Sequence, residues 1–445
     1  MTDYEFADVE SELKESFAEI SKSIRKESRS VKNRINSIVS DANYVKQVAE
    51  SYNLPLVANE RCGRWYINPR DVSESVYFKS TDGHTSQWSF SLRRLNTHLL
   101  PLLGKSNGVV IVDSTRRGKR MPDALAKTVP IWCAVMNGAL YGTHYGTLYT
   151  PRNAVSESEH SQMEARLPQW IEQLKSMPLD FDKMKNELRS KPIRPIWVTP
   201  DGYLPDEPPA FSDFIPVVLC TASRMVQDGT DHRQGYTYVQ GAADDHELWA
   251  KDLNPDLLWS NVEVLTRLGQ SDEQILQLIT ELHGTQTDSH SGTQSQRIEP
   301  TNVFITTAQE CANHKDSWDV CIHFAEKPLN LDSPYYMHYK LEPGKKGSKE
   351  LRNVLPEIMQ RFDKLYSPTA KVLLIGAEGD FHIAVATAIL CQYYQGADGA
   401  TALESKSASY ISKDEIRKRL ALIVTQVKCN PSRATLNSLN SFLMG

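Results

Sequence analysis

Apolar positions along the chain follow two periods, and their alternation predicts a mixed α/β protein. Short apolar runs bounded by polar or turn residues read as buried strands: Val109–Val112, Ile193–Thr199, Ile215–Cys220 and Val372–Ile375. Val76–Phe78 reads as a further strand, and Tyr238 and Val239 lead into a Gln240–Gly241 turn. Other stretches carry the helical period. Residues 8–50 read as helical because Leu13, Phe17, Ile20 and Ile24 return to one face. Ser91–Leu100, Glu157–Ser176, Ser271–His283 and Ile383–Cys391 are further helices, and Pro122 and Asp123 suit a helix's first turn. Near the end, Ser412 and Glu415 form a capping-box pattern, and a helical tail follows. The polar, low-complexity stretch Gly284–Arg297 reads as an inter-domain linker, with a second α/β unit from about Thr301.

Composition narrows the class. With 445 residues, 40% hydrophobic and 24% charged, the chain suits a soluble globular protein of two or three domains. A net charge of −5 excludes a uniformly basic nucleic-acid binder. Charge is uneven, however: Arg61–Lys127 holds 12 Lys/Arg against 5 Asp/Glu, a patch suited to steering phosphates. Seven scattered cysteines without a CxxC pair argue against a zinc site or a disulfide framework, and for reduced thiols in cytoplasm or nucleus. The acidic, polar N-terminus does not read as a secretory signal, and no run approaches the ~20 apolar residues a bilayer span needs.

The candidate chemistry concentrates in Gly108–Thr128. Asp113 closes the apolar run, and Arg116, Arg117, Lys119 and Arg120 follow at once. Backbone N–H groups of Ser114, Thr115 and Gly118 with these side chains would form an anion cradle; the plainer reading is a solvated basic loop. Lys79, Ser80, Thr81, Asp82, Gly83 and His84 crowd donors and acceptors after a strand, as site-lining loops do. Arg93, Arg94 and His98 lie on the helix expected next. Asp244, Asp245, His246 and Glu247 sit at an expected helix start, where they either cap the helix or bind magnesium. Arg25, Lys26, Arg29, Lys32 and Arg34 are a solvated helix side or a contact to RNA backbone.

Four stretches carry a resemblance: STDGHTSQWSFSLRRLNTHLL, GVVIVDSTRRGKRMPDALAKTVPIWCAVMN, YVQGAADDHELW and PSRATLNSLNSFLM. Long, ungapped and in order, they resemble the initiator tRNA phosphoribosyltransferase family of fungi and plants. The resemblance implies transfer of 5-phosphoribose from phosphoribosyl pyrophosphate to the 2′-hydroxyl of the T-stem adenosine at tRNA position 64. The acceptor it implies is initiator methionine tRNA, which the adduct keeps from elongation. It also implies a family-specific N-terminal domain over 1–283, with its motifs in 61–249. A linker then spans 284–300, and a domain similar to dual-specificity phosphatases spans 301–445.

A phosphatase loop needs a cysteine, a glycine three residues on and an arginine six residues on. Aligned on Gly379, the loop Gly376, Glu378, Gly379, Asp380, His382 has glycine for the cysteine and histidine for the arginine. Thiol–phosphate chemistry is therefore excluded here, while backbone phosphate binding stays open.

For the transfer itself, Arg116, Arg117, Lys119 and Arg120 are expected on the leaving diphosphate, with Lys79, Arg93 and Arg94 in support. Asp113 or Asp82 is expected to orient or deprotonate the hydroxyl, and Asp244 and Asp245 to hold Mg2+. Initiator tRNA and the donor are the expected partners, with no membrane and no obligate protein partner, in the cytoplasm or nucleus. The rivals are a non-catalytic tRNA-binding protein and a phosphohydrolase.

Overall fold

Two five-stranded sheets organise the chain in the computed structural model. It describes residues 27–81, 87–246, 249–285, 295–307, 318–329, 335–342, 344–376, 380–396, 401–427, 429 and 431–445. Packing divides the chain into two units. One holds Met1–Phe90, Leu99–Ile171 and Phe181–Thr287; the other holds Ser91–His98, Glu172–Asp180 and Asp288–Gly445.

In the first unit, strands β1 (Leu56–Asn59), β2 (Val72–Val76), β3 (Val109–Asp113), β4 (Ile193–Val198) and β5 (Ile215–Thr221) are all parallel. Their order is β2-β1-β3-β5-β4. Every residue of β3 and β5 is buried, which is why both read as unbroken apolar runs: a parallel sheet is covered on both faces. One face packs against α1 (Val31–Tyr52), where Ile35, Ile38, Val45 and Val48 meet Val110, Val112 and Val218. Elsewhere lie α2 (Leu99–Ser106), α3 (Val129–Tyr141) and α4 (Glu157–Glu164), α3 packing on β4. Helix α5 (Asp272–Thr285) returns to α1. Strands β6 (Thr230–Arg233) and β7 (Tyr236–Val239) form an antiparallel hairpin.

Several expectations shift. The helix expected over Ser91–Leu100 is absent: Asn96 is left-handed at φ 50°, and α2 begins only at Leu99. The Val76–Phe78 strand lies earlier, as β2. The Glu157–Ser176 helix breaks in two around Arg166, because Pro168 opens the second piece, Leu167–Lys175. The acids at Asp244 and Asp245 do not start a helix; they sit in consecutive turns, with Asp245 left-handed at φ 51°. Leu13, Phe17, Ile20, Ile24, Arg25 and Lys26 lie outside the described residues.

In the second unit, β8 (Gln296–Arg297), β9 (Val303–Thr307), β10 (Val320–Phe324), β11 (Tyr336–Tyr339) and β12 (Val372–Gly376) take the order β11-β10-β12-β9-β8. Only β8 runs antiparallel to its neighbour. The helices are α6 (Gly344–Leu365), α7 (Phe381–Tyr393), α8 (Lys413–Val424) and α9 (Arg433–Leu443). All of α7 is buried, as a helix apolar on every side must be. Ser412 caps α8, its hydroxyl accepting the Glu415 N–H at 3.1 Å. Cys62, Cys133, Cys220, Cys321, Cys391 and Cys429 are free thiols. Among the described residues, no helix is long and apolar enough to cross a membrane.

Candidate active site

Sheet order dictates where a ligand can enter the first unit. From β1 the chain steps outward to β2, then crosses to β3 on the other side. The crevice past the carboxyl ends of β1 and β3 is thus the topological switch point. Asn59 ends β1 and Asp113 ends β3.

Asp113 is fully buried and meets three donors. Asn59 Nδ2 donates to Oδ2 at 2.8 Å, while the Cys62 thiol (2.9 Å) and the Ser114 N–H (2.8 Å) donate to Oδ1. Burial raises the Asp113 pKa, opposed by Arg61 and by those same hydrogen bonds. Burial, then Asp113 and Asp244, hold the Cys62 thiol well above its ordinary range, so it stays a donor. Asn59 also exchanges two hydrogen bonds with the Phe78 backbone, at 2.8 and 3.1 Å. Asp113 and Asn59 therefore tie the segment after β2 to the loop after β3.

That loop is pinned from outside too. Ser223 Oγ bridges Ser114 Oγ (2.9 Å) and the Thr115 carbonyl (3.0 Å), and Gln240 Nε2 donates to the carbonyls of Arg116 (3.2 Å) and Lys119 (2.8 Å). Gly241 follows at φ 64°, where a Cβ would stand 2.6 Å from the Thr115 oxygen, so only glycine lets the two backbones meet.

The four expected cations divide. Arg116 turns to Asp245 at 3.7 Å, both side chains exposed. The stem of Arg117 lies over Gly229. Lys119 and Arg120 line a cavity of about 650 Å3. Thr81 and Trp88 also line it, as do residues of the segment Asn153–Gln162. On this lining Asp123 accepts from Thr81 Oγ1 (3.2 Å) and pairs with Lys119 (3.3 Å) and Lys127 (3.5 Å). Lys127 reaches on to Glu159 Oε1 at 2.7 Å. Asp123 precedes, and Lys127 lies within, a π-helical turn, Ala124–Thr128, where the Val129 N–H reaches back to Ala124. Pro130 has no N–H to continue the α ladder, and such widened turns recur at functional sites.

Trp88, Asp123, Lys127 and Glu159 were not among the sequence candidates. The Asp123/Lys127 spacing of four within a basic motif was the available signal; nothing in the sequence pointed to Glu159. Of the polar cluster after β2, Asp82, Gly83 and His84 lie outside the described residues. Lys79 is exposed, and its carbonyl accepts from Thr128 Oγ1 at 2.8 Å, which brings Ser80 and Thr81 alongside. Arg93 and Arg94 belong to the second unit. Burial, then Arg94, Arg433 and Arg417, lower the Arg93 pKa.

Asp244 pairs with Arg61 at 3.1 Å. Each of Asp244 and Asp245 thus meets a guanidinium, a poor fit to unshared metal ligands, and no cluster of three metal-ligating side chains occurs among the described residues. Arg34 turns inward rather than to solvent, donating to the carbonyls of Ala242 (2.8 Å) and Asp244 (2.9 Å).

In the second unit, Gly376 and His382 are the residues expected at the phosphatase cysteine and arginine positions. They pack together: a Cβ on Gly376 would stand 1.9 Å from His382 Nδ1. Burial lowers the His382 pKa to about 4, so the ring is neutral. Asp380, left-handed at φ 51°, precedes α7, and Glu378 and Gly379 lie outside the described residues.

Comparison with known proteins matches two family domains along the chain. Residues 24–284 match the Rit1 N-terminal domain model, and residues 335–443 match the Rit1 DUSP-like domain model. The tRNA A64-2′-O-ribosylphosphate transferase of Saccharomyces cerevisiae is 37% identical over 96% of this chain and 95% of its own length. An uncharacterized protein of Schizosaccharomyces pombe is 38% identical over 95% of this chain and 96% of its own. No solved structure matches. One family model spans more than half of the chain and the yeast relative nearly all of it, so the chain belongs to the Rit1 family.

Proposed function

We propose that this chain transfers a 5-phosphoribosyl group from phosphoribosyl pyrophosphate to the 2′-hydroxyl of adenosine 64 in initiator methionine tRNA. The near-full-length likeness to the yeast A64 transferase carries this reading. The bond from the donor's anomeric carbon to diphosphate breaks, the bond to the acceptor oxygen forms, and the hydroxyl proton leaves. Negative charge grows on the departing diphosphate, so fixed cations beside it accelerate the step. Lys119 and Arg120 at the cavity suit that task, with Arg116 and Arg117 on the same loop. Asp113, enclosed by three donors, suits holding the loop in place.

Mg2+ is proposed to arrive with the diphosphate; hard cations are commonly held by one or two carboxylates plus substrate phosphates. Because Asp244 and Asp245 each meet an arginine, no step is assigned to metal on them. The T-stem is duplex RNA, read by shape, phosphates and 2′-hydroxyls. Free cysteines suit a reducing cytoplasm.

Purified protein, initiator tRNA and donor labelled in the ribose 5-phosphate are expected to give label at nucleotide 64, with release of pyrophosphate and loss of activity in chelator. Absence of label from tRNA, with protein folded and Mg2+ present, overturns the reading.

A further inference from the structure

Glu159 lines the cavity from a segment that holds none of the motifs. Ser156 caps α4 by accepting the Glu159 N–H at 3.2 Å, which fixes the backbone there. The carboxylate is fixed as well: the Trp88 indole N–H (2.8 Å) and the Lys127 ammonium (2.7 Å) both meet Oε1. Trp88 is itself held, with the Arg166 guanidinium 5.2 Å from its ring centroid. A long acid that is ordinarily solvated is therefore immobilised on a cavity shared with Lys119, Arg120 and Asp123.

The two halves of this lining ask for different chemistry. Ammonium and guanidinium groups suit phosphate. A fixed carboxylate repels phosphate and suits a hydroxyl donor, as acidic readers of ribose hydroxyls do in nucleotide sites. A phosphorylated pentose offers both parts. Resting on the donor reading above, we infer that Glu159 accepts hydrogen bonds from the ring hydroxyls of the donor's ribose through Oε2, and so selects ribose over its deoxy form. Glu159 is a specificity-determining group, distinct from those that act on the diphosphate.

Equilibrium binding of ribose 5-phosphate, 2-deoxyribose 5-phosphate and inorganic pyrophosphate to the full chain tests this without tRNA or turnover. Wild-type protein is expected to prefer ribose 5-phosphate by about tenfold or more, the scale of a charge-assisted hydrogen bond. In Glu159→Gln, and in Glu159→Asp where the charge remains but is withdrawn, that preference falls to about twofold or less. Pyrophosphate binds both variants at least as well as wild type, which separates a lost hydroxyl contact from a collapsed site. An unchanged preference in the variants, or none in wild type, overturns the inference. Failure of wild type to label tRNA overturns the transferase reading alone, because sugar discrimination is measured independently of it.

Discussion

The loop after β3 and the loop after β12 hold the same place in two sheets of similar plan, yet their chemistry has diverged. Each follows the central strand of five and leads into a largely buried helix. After β3 the loop is rich in charge, its carbonyls held by Ser223 and Gln240, and it borders a polar cavity. After β12 the described residues bring a glycine and a neutral histidine into contact, and the space a cysteine side chain would need is filled. A strand end in a parallel sheet supplies a position, and only the side chains there decide whether it carries chemistry.

The sharpest break of this comparison is to restore the phosphatase pair. Gly376→Cys with His382→Arg replaces the ring that abuts Gly376 with a cation in a buried site. Unit 2 is expected to lose about 3–5 kcal/mol, the cost of an uncompensated buried charge, read as an early unfolding transition. A stable double variant that hydrolyses an aryl phosphate would show that the loop accommodates a working phosphatase pair. In the other loop, Lys119→Ala with Arg120→Ala is expected to lower transfer kcat/KM by about 10²–10³ with little change in thermal stability. Transfer within threefold of wild type would remove the cavity from the reaction.

The smallest effect concerns pH. His382 stays neutral in the folded unit down to about pH 4, while an unfolded histidine takes its proton near 6.5. Its contribution to stability is thus complete above pH 6.5 and is lost as pH falls towards 4. Between pH 7 and pH 5 that loss is about 2 kcal/mol. His382→Gln is expected to lack this share in urea unfolding at the two pH values; an identical pH dependence in variant and wild type would place the ring in a solvated setting. Buried His323, its pKa lowered to about 4 by burial and by His338, adds a similar dependence that the variant keeps.

Much of the architecture was readable in advance, because burial leaves its period in the residues. The runs that became β3, β5 and β12 are apolar since both sheet faces are covered, and the Ser412 cap is a local hydrogen bond. Misread elements were those where one backbone angle or one proline overrides a pattern, at Asn96, Pro168 and Asp245.

The sequence by itself determined that a basic loop follows a buried strand, and that the second loop lacks a nucleophile and an arginine. Only the tertiary structure decided how the loop's cations divide, that Asp113 faces inward to Asn59 and Cys62, and that Glu159 shares a cavity with Lys119. Charge and period are properties of neighbours in the chain, whereas a cavity is made by residues that only folding brings together. Glu159 lies 32 positions beyond Lys127, and no local rule couples an acid and a lysine at that separation.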